Sequence, residues 1–278
     1  MKNKKFILGL LIIFLSLNIT AQRKELRKSK TKSTDQISKY DSMKSYLGFF
    51  NFYYDQANDH IYLKVDDLEK EFLYVNSLSE GIGSNDIGLD RGQLGGRRVV
   101  YFKKAGNRLL LVEPNQKYRA NSSNYLEKES IKQAFAKSVI WSFPIKETID
   151  NGYLIDLNEF LLNDAHGVSM RLKSRKQGSY SVNKSRSSME LKRTKAFPKN
   201  IEFDVQLTFT GEPKGELIRS VAPSANSVSV NQHHSFIELP PLDFKMRKFD
   251  PRSGVNAFRF YDYATPVSDP TLQEYVVR

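Results

Sequence analysis

The sequence predicts a β-rich α+β fold of antiparallel sheets with one or two helices. Strand-like runs outnumber helical ones along its 278 residues. No βαβ alternation is present, so a parallel sheet has no support. Forty percent apolar residues, with 18 Phe and 14 Tyr, supply enough material for a packed core.

The first 22 residues are set apart. "MKNKK" is basic, "FILGLLIIFLSLNI" is largely apolar, and "TAQ" offers a small residue for cleavage after Ala21. This pattern predicts a secretory signal peptide over residues 1–22. The apolar run is shorter than the ~18–20 residues of a spanning helix. Export to the periplasm, outer surface or extracellular space follows as an expectation. Residues 23–45 open on "RKELRKSKTK" and predict a basic disordered linker. A β-rich domain is expected over 46–278.

Within that domain, "HIYLKV" alternates Ile61, Leu63 and Val65 with Tyr62 and Lys64, as a half-buried strand does. "EFLYVNSL" predicts a second strand, with a turn at "DDLEKE" between them. Six glycines fall in residues 81–96, predicting a long excursion between strands in which Asp90 and Arg91 pair locally. Strands 98–103 and 108–113 flank Gly106-Asn107 and predict a hairpin. Residues 127–141 predict the best helix, with Ile131, Ala134, Phe135, Ser138 and Val139 on one side; in the alternative, "AKSVIWSFPI" is a strand entered from a short helix, and the β-branched and aromatic content from Val139 onward favours that for the second half. A strand at "YLID" and a short helix over Asn158–Asp164 come next. Residues 173–200 predict exposed loop with short strand pieces. "IEFDVQLTFTG" is the strongest strand, apolar on the Ile201, Phe203, Val205, Leu207, Phe209 side. "VSVNQHHSFIEL" is its expected antiparallel partner. Turn signals at Asp250-Pro251 and Ser253-Gly254 break up the remainder.

The formal charge of +12 resembles a nucleic-acid signature. Lys2, Lys4 and Lys5 lie in the leader, and residues 23–32 hold six basic groups and one acid, leaving about +4 on residues 33–278. No nucleic-acid partner is therefore expected, and membrane contact only through the basic tail. The absence of cysteine excludes thiol catalysis, cysteine-type zinc sites and disulfide chemistry.

Phosphate cradles fail on spacing. Gly83 and Gly88 are followed by Leu89-Asp90 rather than Lys-Ser, and the third glycine of a dinucleotide motif is replaced by Asp86. No G-x-S-x-G elbow is present. Asp66 and Asp67 are consecutive, so on extended chain they point apart, and Glu127 and Glu129 share no helix face. His60 and His166 have no partner in a metal-binding spacing. His233 and His234 are adjacent on an expected strand, where successive side chains diverge, so one metal ion does not take both. No catalytic, cofactor-binding or metal-ligating residue is assigned.

The segments "GIGSNDIGLDRGQ", "HHSFIELPPLDFKMRKFDPRSG" and "FYDYATP" resemble the N-terminal region, of the DUF5117 and DUF5118 type, of large exported bacterial zinc metallopeptidases. The resemblance runs from about residue 35 to Arg278. It implies a non-catalytic portion that packs on or shields a catalytic zincin domain. That domain, or its separate chain, would be the partner. The family's H-E-x-x-H-x-x-G-x-x-H segment lies downstream of this region and matches no residue here, so no ligand or general base is transferred. Zinc is expected only in that catalytic domain, and no cofactor in this chain. A truncated gene, a split frame or a partial record would each account for this. The alternative expectation is a free-standing exported module that binds peptide or glycan.

Overall fold

Antiparallel pairing organises the chain, as its alternating apolar pattern requires. The computed structural model describes residues 43–241, 243–264 and 270–276. The signal peptide and nearly all of the basic linker expected from the sequence lie outside the described residues. From Ser45 onward the chain forms one compact unit.

In chain order the first strands are β1 (Lys44–Tyr46), β2 (Asn51–Asp55), β3 (His60–Val65), β4 (Phe72–Glu80), β5 (Leu94–Ala105), β6 (Arg108–Glu113) and β7 (Tyr118–Arg119). Helix α1 (Tyr125–Ala134) leads to β8 (Ser138–Ile149) and β9 (Gly152–Asp156). Two short helices follow, α2 (Asn158–Leu161) and α3 (Val168–Ser174), then β10 (Gly178–Val182), β11 (Ser188–Met189), β12 (Lys195–Phe197) and β13 (Asn200–Pro213). Helix α4 (Glu216–Val221) precedes β14 (Ser227–Glu238), β15 (Ala257–Asp262) and β16 (Thr271–Val276). The β-rich, antiparallel α+β class is as expected. Four α-helices occur among the described residues, and three are too short to leave a 3.6-residue period in the sequence.

One large sheet has the order β1-β2-β3-β9-β8-β6-β5-β4-β14-β13-β10, with β11 and β12 also on β13. It curls until its far ends touch. Phe52 of β2 packs edge-on against Phe203 of β13 at 4.9 Å, and Phe49 N donates to Phe197 O at 2.8 Å. The strand ladder does not close into a barrel. Inside the curl lie Ile61, Leu63, Phe72, Leu78, Phe102, Leu111, Phe203 and Phe236, all essentially solvent-free. Burial of this kind stabilises by roughly 25 cal/mol per Å² of apolar surface removed from water. Phe160 of α2 plugs the interior, ring against ring with Tyr74, Trp141, Phe143 and Phe236. Helix α2 is fastened by Asn158, whose side chain accepts from Ile61 N and donates to Asp59 O.

Of residues 127–141 only the first half is helical, and the strand favoured from Val139 onward is present as β8. Asn124 caps α1 by accepting from Leu126 N, and the helix stops at an extended Phe135. Residues 138–143 instead pair with β6, setting Trp141 opposite Leu111. A neighbouring strand satisfies the backbone of this β-branched and aromatic run, and that outweighs the helical period. The hairpin at Gly106-Asn107 is as predicted, with Ala105 opposite Arg108 and Gly106 at φ 60. The glycine excursion is also present, but Asp90 and Arg91 form no ion pair among the described residues. Backbone bonds order it instead: Ile82 N to Leu89 O at 2.9 Å, Gly92 N to Leu78 O at 2.6 Å.

A second sheet, β16-β15-β7, carries the C-terminal segment. No described helix is long and apolar enough to cross a membrane.

Candidate functional site

The pairing of β13 with β14 puts Asp204 opposite His233 and Phe203 opposite His234. Since successive strand side chains alternate in direction, the two imidazoles take opposite faces of the sheet.

On the outer face, His233 Nδ1 stands 3.1 Å from Asp204 Oδ1 and Nε2 stands 2.8 Å from Glu202 Oε2. Burial alone would push this ring towards neutrality. The two carboxylates outweigh it, and the pKa is raised to about 9. Glu202 also accepts from Ser235 and Asn200. Its burial opposes ionisation, yet these bonds and His233 hold its pKa below the ordinary value. Ser79 Oγ donates to Asp204 Oδ1 at 2.6 Å. Among the described residues Asp204 Oδ2 has no hydrogen-bond partner; it lies 3.7 Å from Arg193 Nη1, which is 3.3 Å from Glu80.

Serine, histidine and aspartate thus meet without forming a nucleophilic triad. Both hydroxyls donate to carboxylates rather than to the imidazole. Both ring nitrogens are committed to carboxylates, so no basic nitrogen is free to take a proton from a serine.

On the inner face, His234 Nδ1 lies 2.9 Å from Tyr74 Oη, and Nε2 lies 2.9 Å from Gln232 Nε2 and 3.2 Å from Leu161 O. The ring is fully buried. Burial, with the charged His233 beside it, pushes its pKa down to about 3. Gln232 ties this layer to the α2–α3 loop, accepting from His166 N and donating to Asn163 O. His166 is half-buried, and burial lowers its pKa as well. His60 lies on β3, 3.3 Å from Asp156.

These histidines do not fit a zinc site. Among the described residues no group of three or more His, Asp or Glu could hold a metal ion. Asp66 and Asp67 separate as expected, Asp66 towards Lys64 and Asp67 towards Lys70.

A groove of about 870 Å³ lies elsewhere, beneath α1. Its walls come from Glu69 and Glu71 before β4, Tyr101 of β5, Tyr118 and Arg119 of β7, and the helix with Phe135. Tyr118 and Phe135 stack at 4.0 Å. Sequence reasoning assigned no residue here. Four separate segments build the groove, and of its lining only Ile131 and Phe135, as part of an apolar helix face, and Glu129, as an unpaired acid, had been singled out.

A model of the family described as "Domain of unknown function (DUF5117)" matches residues 92–278, and one described as "Domain of unknown function (DUF5118)" matches residues 31–81. The chain belongs to the DUF5117 family. No curated protein and no solved structure matches it. The DUF5117 segment is not structurally separate from the DUF5118 segment. Strand β4, from the latter, is hydrogen-bonded between β5 and β14 of the former. The groove likewise takes Glu69 and Glu71 from one segment and Arg119 and α1 from the other.

Proposed function

We propose that this region is a non-catalytic portion of an exported zinc-metallopeptidase-like protein, packing on or shielding a catalytic domain of that kind. The observation that carries the reading is the C-terminal surface. Phe244, Met246, Val255, Phe258 and Leu272 lie within residues 244–272 and are each more than a third exposed; Phe258 and Leu272 take opposite faces of the β15–β16 pair, so both sides of the small sheet offer apolar side chains to a partner that wraps it. The resemblance of the segments quoted above supplies the identity of the partner. In such a protein the partner domain holds zinc and activates water, and the region described here contributes surface rather than ligands.

The test is direct. Purified residues 23–278 should take up no stoichiometric zinc and leave casein intact. A zincin domain from a DUF5117-containing peptidase, added in trans, should bind the C-terminal surface and protect Phe258 and Leu272 from solvent exchange. One zinc per chain together with chelator-sensitive proteolysis would refute the reading.

A second reading, an exported module that binds peptide or glycan, is favoured by the groove beneath α1. Its volume of about 870 Å³ falls within the range of about 300–1,000 Å³ usual for ligand sites.

A further inference from the structure

Charge is spread unevenly over the domain. Residues 171–199 hold ten lysines and arginines and one acid, Glu190, so the rest of residues 33–278 is net acidic. Lys184 pairs with Glu159, and Arg193 faces Glu80 and Asp204. The other eight cations form no ion pair among the described residues, and all but Arg171 are exposed.

Strand pairing arranges these residues in a line. Gly178 stands opposite Pro213 of β13, Ser188 opposite Gln206, Lys195 opposite Glu202 and Phe197 opposite Asn200. The segment therefore runs the length of β13, 14 residues, or about 40 Å at a strand's rise. Helix α3 extends the line at the β10 end, where Gln177 O accepts from Lys214 N at 2.8 Å. Two exposed acids flank it, Glu212 opposite Ser179 at one end and Glu238, whose N donates to Lys199 O, at the other. They leave the border strongly cationic.

Apolar side chains stand among the cations. Lys195 and Phe197 are two apart on β12 and so share a face, while Ala196 between them packs on the core. Phe197 is 46% exposed. Phe49 N donates to Phe197 O at 2.8 Å, which brings the exposed Leu47 close to it. At the far end Met170, 73% exposed, precedes Lys173 by about one turn of α3. Long cations interleaved with exposed apolar side chains suit the boundary of a bilayer, where headgroups take the charge and the acyl region takes the side chains. A hydrated polyanion would use the cations and leave Leu47, Phe197 and Met170 in water.

We propose that this border is a contact surface for a bilayer of anionic lipids, its lysines and arginines on the phosphate headgroups and Leu47, Phe197 and Met170 in the interface. The proposal concerns the folded domain rather than residues 23–32. It rests on neither reading above, and its failure leaves both untouched.

The test is co-sedimentation of purified residues 23–278 with vesicles of phosphatidylcholine and phosphatidylglycerol, against vesicles of phosphatidylcholine alone. Binding should require phosphatidylglycerol and weaken at least about tenfold as salt rises from about 0.1 to about 0.5 M. Lys173→Glu, Arg186→Glu, Lys192→Glu and Lys199→Glu together should reduce affinity at least about a hundredfold, since each basic residue near such a surface contributes a factor of about five. Glutamate keeps the sheet edge charged, so edge pairing is still opposed, and Lys195 stays because it stands opposite Glu202. The comparator makes the same change in net charge elsewhere, with Lys128→Glu, Lys132→Glu, Lys137→Glu and Lys245→Glu, all exposed positions. It should lose less than about tenfold. Both variants retain residues 23–32, so the basic tail does not account for a difference between them. Leu47→Ser, Phe197→Ser and Met170→Ser together should weaken vesicle binding about fivefold or more and leave binding of heparin, a soluble polyanion, unchanged. Should the four-fold border variant fail to melt cooperatively, Lys192→Gln with Lys199→Gln should still weaken binding about twentyfold. Equal losses in the border variant and the comparator would overturn the proposal. So would binding indifferent to phosphatidylglycerol. Heparin bound more tightly than vesicles, with no effect of the three serines, would overturn it in favour of a soluble polyanion.

Discussion

His233 Nε2 stands 2.8 Å from Glu202 Oε2, while the next residue, His234, sets its Nδ1 2.9 Å from Tyr74 Oη on the other side of the sheet. One imidazole is held charged and the other neutral, although their Cα atoms are neighbours. Their effects on stability run in opposite directions with pH.

The first prediction follows from linkage. The folded pKa of His233 is raised to about 9, above an unfolded value near about 6.5. Its stabilisation is complete below about pH 6.5 and is lost as pH rises through about 9. The side chain is only 20% exposed, so the contribution is on the order of 2–3 kcal/mol. His234 is the reverse case. Its folded pKa of about 3 means stabilisation is present above about pH 6.5 and fades as pH falls towards 3. Glu202, held low, adds to the same acid arm below its unfolded pKa of about 4.3. Urea titrations across pH should show a maximum near neutrality. His233→Gln should flatten the alkaline arm, and His234→Gln the acid arm.

Asp204 has no exposed surface and faces His233, Ser79 and Arg193. Asp204→Ala should destabilise by about 3–5 kcal/mol, since it strands buried positive charge. Combined with His233→Gln, the loss should fall well short of the sum of the two single changes. Additive losses in a double-mutant cycle would show that the pair is not coupled.

A Cβ on Gly95 would come within 1.9 Å of Asn76 Oδ1 and 2.7 Å of His166 Nδ1. Gly95→Ala should lower stability by about 1–3 kcal/mol through overpacking. Asn76→Ser in the same chain should recover part of that, because the side chain in the way has been shortened. Melting temperatures of the two variants decide the matter.

Phe160→Ala should cost about 3–5 kcal/mol by opening a cavity at the centre of the curl. Trp141, the single tryptophan, packs on Phe160 at 5.7 Å. Its fluorescence should therefore change even in molecules that stay folded. An unchanged spectrum would mean that the plug is not where the interior depends on it.

Strands β10, β11 and β12 border the free side of β13, and the segment around them exposes Lys173, Arg175, Lys176, Lys192, Lys195 and Lys199. Lysine and arginine on a sheet edge oppose edge-to-edge pairing. Changing these six to serine should leave the melting temperature nearly unaltered and promote concentration-dependent self-association. Light scattering reads this out.

Much of the fold was legible wherever the two-residue period was clean. β3, β13 and β14 are such cases, and from their alternation the parting of His233 and His234 could be stated before any coordinates. The strand favoured from Val139 onward by its β-branched and aromatic residues is present as β8, although its partner β6 is a long-range feature that no local window contains. Asp204 and Thr208 alternate with the apolar residues of β13, yet both are buried too, since Thr194, Arg186 and Ser187 fold back over that second face, which a strand's own period does not reveal. The groove was not legible at all. Arg119 sits in a two-residue strand whose parallel neighbour is β15, so its aromatic setting is supplied by residues far along the chain.

The placement of β4 has a bearing on how the molecule is made. Tyr74 and His234, cross-sheet partners, are 160 positions apart. As the chain folds, β4 can meet β5 early but keeps its other edge bare until β14, far along the chain, docks on it. Long-range closure of this kind is slow, and an unpaired edge invites association with other chains meanwhile. The β14-facing edge of β4 is therefore the place where a half-folded molecule is most open to sticking to another.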